Sequence, residues 1–442
     1  MIDGVDVFLN VGGVDVPVGR ARFTKPRRTG FVTDFTYDGE WLSYTGAFDI
    51  DPRLPRHTPS TPVEGLPFSF DDSSPDAWGK RLIRAAARRG GEDSPGEVEF
   101  LLGVSDTTRH GALRFKTDGH FQSPGVTVPN MVALPALEAA AAAVSGGSSD
   151  DGSALKLLLA GSGSLGGARP KASVTDGGRL LIAKFSDASD EWDVIAWEKA
   201  TLDLAARAGI DVPRTSLLQI DNRKALILDR FDRAADGSRI PYMSARTLLG
   251  AADPASGDYE EIGEALTELD VADITATRHA LWRRAAFSVA VHNTDDHLKN
   301  HGLLRTSKGW ELSPAFDMNP ERTGGIERAT AISGAYLPGQ EPAGLTRLAT
   351  AFGVRNAADI LDEILAATSG WADVAHTHGI TNAEIELFDR VFSEPRKGLL
   401  ALRDQLGPNQ KSGGQSPQPR LPRGAGGGRF ARPRRPDGPA LH

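Results

Sequence analysis

Ala290-Val291-His292-Asn293-Thr294-Asp295-Asp296-His297-Leu298-Lys299-Asn300-His301 is the stretch on which the reading of this chain turns. An apolar run with helical spacing, 281–291, leads straight into it. Packing does not account for so dense a cluster of polar groups. Asp295 and Asn300 stand five apart, the separation at which an acid orients an acceptor hydroxyl while an amide helps hold a divalent ion beside phosphates. The arginine that often precedes such an acid is missing; Thr294 stands there. A competing reading is a metal-hydrolase centre drawn from His292, Asp295, Asp296, His297 and His301, the last two four apart. Lys299 and Asn300 interrupt that set, and it leaves the other motifs below unused.

Downstream, a short hairpin (302–304 and 310–312, turning at Lys308-Gly309) leads to Pro314-Ala315-Phe316-Asp317. Asp317 sits where a second magnesium carboxylate would follow, or is a turn acid. Upstream, strands are expected at 180–185, 215–220 and 224–228, the last two joined across Asp221-Asn222. Between the first and second of these, 191–208 reads as a helix ending at Gly209. The first strand carries one lysine, Lys184, amid apolar residues. It is either an edge-strand lysine or a holder of nucleotide phosphates, and Glu198 on the next helix is either its partner or a surface residue beside Lys199. Before it lies Gly161-Ser162-Gly163-Ser164-Leu165-Gly166-Gly167-Ala168-Arg169-Pro170-Lys171. This contains G-x-G-x-x-G but no helix follows, so it suits a flap over phosphates, or a mobile linker, better than a dinucleotide fold.

The chain has 442 residues, 49 Gly, 28 Pro and no Cys, which removes disulfides, thiolate zinc sites and cysteine nucleophiles. At roughly 150 residues per domain, about three units are expected. Four are read: a β-rich unit at 1–120, a lobe at 121–228, a helical lobe at 229–405, and a basic tail at 406–442 expected to be disordered. In the first, strands are read at 5–10, 14–23, 30–37 and 41–47, a Pro-rich loop at 51–67, a helix capped by Ser74 with Pro75 first, and another opened by Ser94-Pro95. Helical spacing returns at 126–144, and 145–153 reads as a connection. The second half carries it at 258–268, 276–292, 357–368 and 382–402. The formal charge of −8 is uneven, since 408–442 hold seven Lys/Arg against Asp437 alone. An acidic body disfavours broad nucleic-acid binding. No apolar run approaches ~18 residues and the start lacks a signal pattern, so a cytoplasmic protein with no membrane contact is expected.

The chain resembles the HipA family of bacterial toxin serine/threonine kinases over about residues 1–405. The matching segments are Ser74-Pro75-Asp76-Ala77-Trp78-Gly79, 164–171, Asp229-Arg230-Phe231-Asp232-Arg233, 293–300 and Pro314-Ala315-Phe316-Asp317. The resemblance implies an α+β, two-lobed protein-kinase-like fold with an N-terminal β-rich subdomain and a helical C-lobe. It implies ATP and Mg2+ as cofactors, Asp295 as catalytic base, and Asn300 and Asp317 as metal ligands. ATP would be held by Gly166, Gly167, Ala168, Arg169, Pro170, Lys171, Lys184, Asp229, Arg230, Phe231, His297, Lys299, Asn300, Phe316 and Asp317, with 229–231 as the adenine hinge. Asp229 stands where a glutamate is commoner. Ser164 matches the serine that family members autophosphorylate to switch themselves off.

The implied partners are a small helix-turn-helix antitoxin, DNA only through that antitoxin, and a protein substrate, in the family notably an aminoacyl-tRNA synthetase. Two other readings stay open: a catalytically idle kinase fold serving as antitoxin-binding co-repressor, and a phosphotransferase acting on a small molecule with the same Asp and Asn logic.

Overall fold

The computed structural model describes residues 2–407 except 26–29, 58, 123–126, 147–151, 162 and 165. Of the tail read at 406–442, Leu406 instead ends the last helix and Gly407 caps it, while 408–442 lie outside the described residues, as do Ser162 and Leu165 of the glycine loop. No helix among the described residues is long and apolar enough to cross a membrane.

Strands β1 (Gly4–Val11) and β2 (Val14–Thr24) form a hairpin whose two turn residues, Gly12 and Gly13, both have positive φ. That conformation matches the right-handed twist of the strands, and glycine adopts it without Cβ strain. β3 (Val32–Tyr37) follows. The segment 41–47, read as a strand, instead opens in a helical turn, α1 (Gly39–Ser43), because Asp38 accepts a hydrogen bond from Glu40 N at 2.8 Å and caps it. Residues 51–67 are not all loop: β4 (Thr61–Glu64) pairs with β3 at the sheet edge, where Pro62 is tolerated.

Helix α2 (Phe68–Asp72) precedes α3 (Ala77–Gly90). Ser74 does not cap α3: its hydroxyl donates to Phe70 O, and Asp76 is the N-cap residue. The next helix, α4 (Glu97–Leu102), starts after Gly96 rather than at Ser94-Pro95. With β5 (Leu113–Thr117) and β6 (His120–Phe121) the first sheet is complete, in the order β4-β3-β2-β1-β5-β6. Val5, Val7 and Leu9 alternate onto its buried face.

Two helices, α5 (Leu134–Ser145) and α6 (Gly152–Gly161), lead into β7 (Lys171–Asp176) and β8 (Arg179–Phe185). Residues 155–160, an apolar run, lie within α6. After α7 (Val194–Arg207) come β9 (Thr215–Ile220) and β10 (Arg223–Asp229), closing an antiparallel sheet ordered β7-β8-β10-β9. Alternation decides its two faces. Leu181, Ala183, Phe185, Ala225 and Ile227 pack under α3, α5 and α6, whereas Ile182, Leu226 and Leu228 face the core shared with α7. Lys184 shares the parity of Ile182, which aims its amine away from the helical cover.

The rest is mostly helical. In order come β11 (Tyr242–Ser244), α8 (Ala245–Leu249), β12 (Gly257–Asp258), α9 (Tyr259–Ala265), α10 (Ile274–Ala290), β13 (Gly302–Thr306), β14 (Gly309–Leu312) and β15 (Thr330–Ala331). Then come α11 (Glu341–Phe352), α12 (Ala357–Thr368), α13 (Trp371–Thr377) and α14 (Asn382–Leu406). β11 joins the hairpin β13-β14 in a small sheet, and α7 packs into the core of this lobe. The two larger units meet around the residues between β10 and β11 and around those that follow α10.

Candidate nucleotide and catalytic cleft

Lys184, on β8, is 10 % exposed and lies between two carboxylates, 2.5 Å from Glu198 of α7 and 2.9 Å from Asp317. Burial disfavours the ammonium, but Asp317 and Glu198 outweigh it and raise the amine's pKa. At Asp317 burial is again opposed, here by Lys184 and Lys171, which hold the carboxyl well below the usual carboxylate range. Glu198 has the reverse balance: burial dominates and pushes its pKa up, against the pull of Lys184. Asp317 also has φ +57°, a left-handed conformation that non-glycine residues adopt at a cost and that clusters at functional sites.

The second set comes from the end of α10. His292 takes φ +51° just past the helix, and the chain then runs irregularly to a short turn of 3₁₀ helix, Leu298–Asn300. The two neighbouring acids separate here. Asp296 is 2 % exposed and accepts from Ser288, Tyr259, Arg328 and the His301 ring. Asp295 is exposed, and Asn300 Nδ2 donates to its carbonyl at 3.0 Å. Partial desolvation of its carboxyl raises the pKa; His297 opposes this, and Asp317, Asp296 and Glu321 add to it. Asp296 thus builds the loop that presents Asp295. Since His301 is bound to Asp296 and His292 faces Thr323 O, the histidines do not converge on one centre.

Between the two sets lies a cleft of about 620 Å³, open solvent included. Of the residues expected from the sequence, Gly166, Gly167, Lys171, Lys184, Asp229, Phe231, His297, Lys299, Asn300, Phe316 and Asp317 line it. Ile182, Pro213 and Leu228 supply an apolar wall. Lys171 donates to Gly166 O, and a Cβ on Gly167 would fall 2.7 Å from the Lys171 amine, so the loop closes tightly over that ammonium.

Six expected residues lie outside this lining: Asp295, exposed beside Asn300, and Ser164, Ala168, Arg169, Pro170 and Arg230. Ala168 is exposed outside the lining, Arg169 pairs with Asp190, and Pro170 serves through its carbonyl, which accepts from Phe185 N. Arg230 turns its side chain away from the cleft to Asp232, Thr108 O and Arg109 O, because its parity on the chain is opposite to that of Asp229 and Phe231. Ser164 is 3 % exposed, lies in an adjoining cavity, and accepts a hydrogen bond from His110 N at 2.5 Å.

Sequence reasoning missed Asp76, His110, Ile182, Pro213 and Leu228 as lining residues. Asp76 stood inside a segment singled out for resemblance; nothing local marks Pro213.

A β-sheet lobe with a lysine–glutamate pair, a helical lobe with an exposed acid and an amide, and a glycine loop over the space between define a two-lobed, protein-kinase-like α+β protein. Comparison with known proteins carries this to a family. The HipA N-terminal domain matches residues 9–116 and the HipA-like C-terminal domain residues 163–371, together more than half of the chain. The chain belongs to the HipA family.

Among solved structures, HipA in the Shewanella oneidensis MR-1 complex of HipA, HipB and operator DNA shares the fold. Its TM-score is 0.62 at 17 % identity, covering 91 % of this chain and 97 % of that one. Y4dM of Sinorhizobium fredii, whose name assigns it provisionally to the kinases, is 30 % identical over 138 residues. That match spans 27 % of this chain and 32 % of the relative.

Proposed function

We propose that this chain is an ATP- and magnesium-dependent serine/threonine protein kinase, the toxin of a type II toxin–antitoxin system. The observation that carries the reading is Lys184 held between Glu198 and Asp317 in the cleft that Asn300 also lines, with Asp295 exposed beside Asn300 and within reach of the charges of His297 and Asp317. The apolar wall and Phe231 suit a purine, and two buried lysines suit its phosphates.

Among the described residues no three His, Cys, Asp or Glu side chains gather into a metal site. That fits an ion that takes most of its ligands from phosphate and water, as magnesium does. Asp317 and Asn300 would hold it, and it would neutralise charge on the phosphate oxygens. Lys184 binds the phosphates on the opposite side, and Glu198 keeps its ammonium from swinging away. Asp295 orients the acceptor hydroxyl and takes its proton as the oxygen bonds to the γ-phosphorus and the bond to the ADP oxygen breaks. Its raised pKa favours that proton transfer.

Ser164 is the proposed autophosphorylation site. Its buried hydroxyl shares a cavity with Asp71, Asp72 and Asp76 and with Lys299, so a phosphoryl group there would meet three carboxylates against one amine and would drive the loop out of place. The partner proposed is a small helix-turn-helix antitoxin, as HipB accompanies the Shewanella protein, and the substrate proposed is a protein of the aminoacyl-tRNA synthetase class.

Incubation of the purified chain with γ-labelled ATP and magnesium tests this. Label is expected on Ser164 and on the acceptor. Asp295→Ala should remove it by orders of magnitude and spare part of the ATP binding, while Asp317→Ala should lose both. Absence of label from Ser164 and from every added protein overturns the kinase reading. A gel shift by chain plus antitoxin under those conditions would then favour the co-repressor.

A further inference from the structure

The segment Ser74-Pro75-Asp76-Ala77-Trp78-Gly79 belongs to the N-terminal β-rich unit, yet its Asp76 side chain ends at the cleft. An Asp at a helix N-cap ordinarily spends its carboxylate on the first free amides of the helix. Asp76 makes no such bond. Its Oδ2 accepts from Gly167 N at 2.8 Å and its Oδ1 from Lys299 Nζ at 2.6 Å. One carboxylate thus joins the glycine loop above the cleft to the loop that presents Asp295 below it.

The neighbouring contacts point the same way. Trp78 N donates to Gly167 O, and the Trp78 indole donates to Lys171 O at 2.9 Å. His110 N reaches Ser164, and a Cβ on Gly163 would meet Thr108 O at 2.6 Å. Gly163, Ser164, Gly167 and Lys171 therefore all rest on the N-terminal unit. The unit is docked on the helical lobe by other bonds, Asp72 to Ser244 and Thr247 and Asp71 to Arg246, and these lie outside the cleft.

We infer that Asp76 is a positioning residue for phosphoryl transfer: it fixes the glycine loop and Lys299 in register, so that the N-terminal unit is part of the catalytic machinery. The inference rests on the kinase reading and gives the β-rich unit a role in the chemistry. Lys299 is held by Asp76 at 2.6 Å and by Asp71 at 3.3 Å where it lines the cleft.

The experiment uses the full chain with Asp76→Ala, Asp76→Asn, Lys299→Met and the double variant Asp76→Ala/Lys299→Met. Displacing a phosphate loop by about 1 Å costs on the order of a hundredfold in rate. Asp76→Ala should therefore raise KM for ATP about tenfold or more and lower kcat. Asp76→Asn keeps an acceptor for Gly167 N but not the charge for Lys299, and should recover most of the KM while kcat stays low. The double variant should be little worse than the poorer single one, because both break one linkage.

Amide hydrogen exchange without nucleotide gives a readout independent of activity: Gly167 should exchange faster in Asp76→Ala while the β1 and β2 amides keep their protection. Unchanged KM, kcat and Gly167 exchange overturn the inference. So does a loss of activity that only follows a lowered unfolding midpoint, or one strictly additive with Lys299→Met. A wild-type chain that labels nothing sinks the kinase reading alone, since exchange at Gly167 still decides whether Asp76 anchors the loop.

Discussion

The His110 imidazole is enclosed by Phe231, Tyr242 and the glycine loop, and its Nε2 has no hydrogen-bond partner. Burial pushes its pKa down to about 4, with Asp232 opposing and Arg230 and Arg233 assisting. A histidine with a depressed folded-state pKa binds fewer protons folded than unfolded, so its share of stability is complete above about pH 6.5 and is lost as the pH falls toward 4. Over that window the loss amounts to about 3 kcal/mol. Asp72 works in the other direction, because burial raises its pKa to about 6 and its folded form takes up a proton first as the pH falls. The difference between wild type and His110→Asn isolates the imidazole: urea midpoints should fall less between pH 7 and pH 5 in the variant, and parallel curves would show that His110 is not the group responsible. At this scale the sequence shows residue types but not roles. Spacing from Asn300 picks out Asp295, whereas only burial explains Asp296, whose carboxylate is consumed by Arg328, His301, Tyr259 and Ser288.

Helix α7 carries Glu198 and is fastened to the far lobe. Glu384, in the first turn of α14, accepts from both Asp193 N at 3.0 Å and the Trp197 indole at 2.8 Å through one oxygen. Trp197 then packs against Phe388, Phe392 and Trp371. Leaving two shielded donors without an acceptor costs about 1–3 kcal/mol each. Glu384→Ala should therefore lower the unfolding free energy by about 2 kcal/mol or more and weaken ATP binding through Glu198, while Glu384→Gln, which retains the acceptor oxygen, should do neither. Denaturant unfolding and nucleotide titration of the two variants check this, and equal behaviour would show that the latch carries no energy. Long amphipathic elements such as α12 and α14 were legible because one face is buried along them, and α10 because its apolar run is buried on every side over 284–290. Short ones were not. Trp41 reads as strand until Asp38 is seen to cap a turn, and α11 hides behind Pro338, Gly339 and Pro342, which punctuate its start.

The joint between the units is written into one pentapeptide with alternating duties. In Asp229-Arg230-Phe231-Asp232-Arg233, the first and third residues line the cleft, while the second, fourth and fifth fasten the N-terminal unit. Asp232 is 1 % exposed and accepts from Gly111 N, Arg230 and Arg233, and Arg230 passes the link on to Thr108 O. The sequence resemblance displayed this motif but assigned all of its first three residues to the nucleotide. A contact between residues 111 and 232 has no local signature, which is why the division of labour stayed hidden.

The energies of the two acids should differ accordingly. Asp232 balances the guanidinium groups of Arg230 and Arg233, the latter pushed down to about 9 by burial, and removing one partner of a buried pair costs about 3–5 kcal/mol. Asp229 pairs with Arg179 at the surface, where such pairs are worth at most about 1 kcal/mol. Asp232→Asn should thus lower the unfolding midpoint clearly and expose the junction between β10 and β11 to limited proteolysis, whereas Asp229→Asn should leave both unchanged. If the two variants unfold together, the N-terminal unit is held by its apolar contacts, and the buried arginine cluster contributes nothing to the assembly of the molecule.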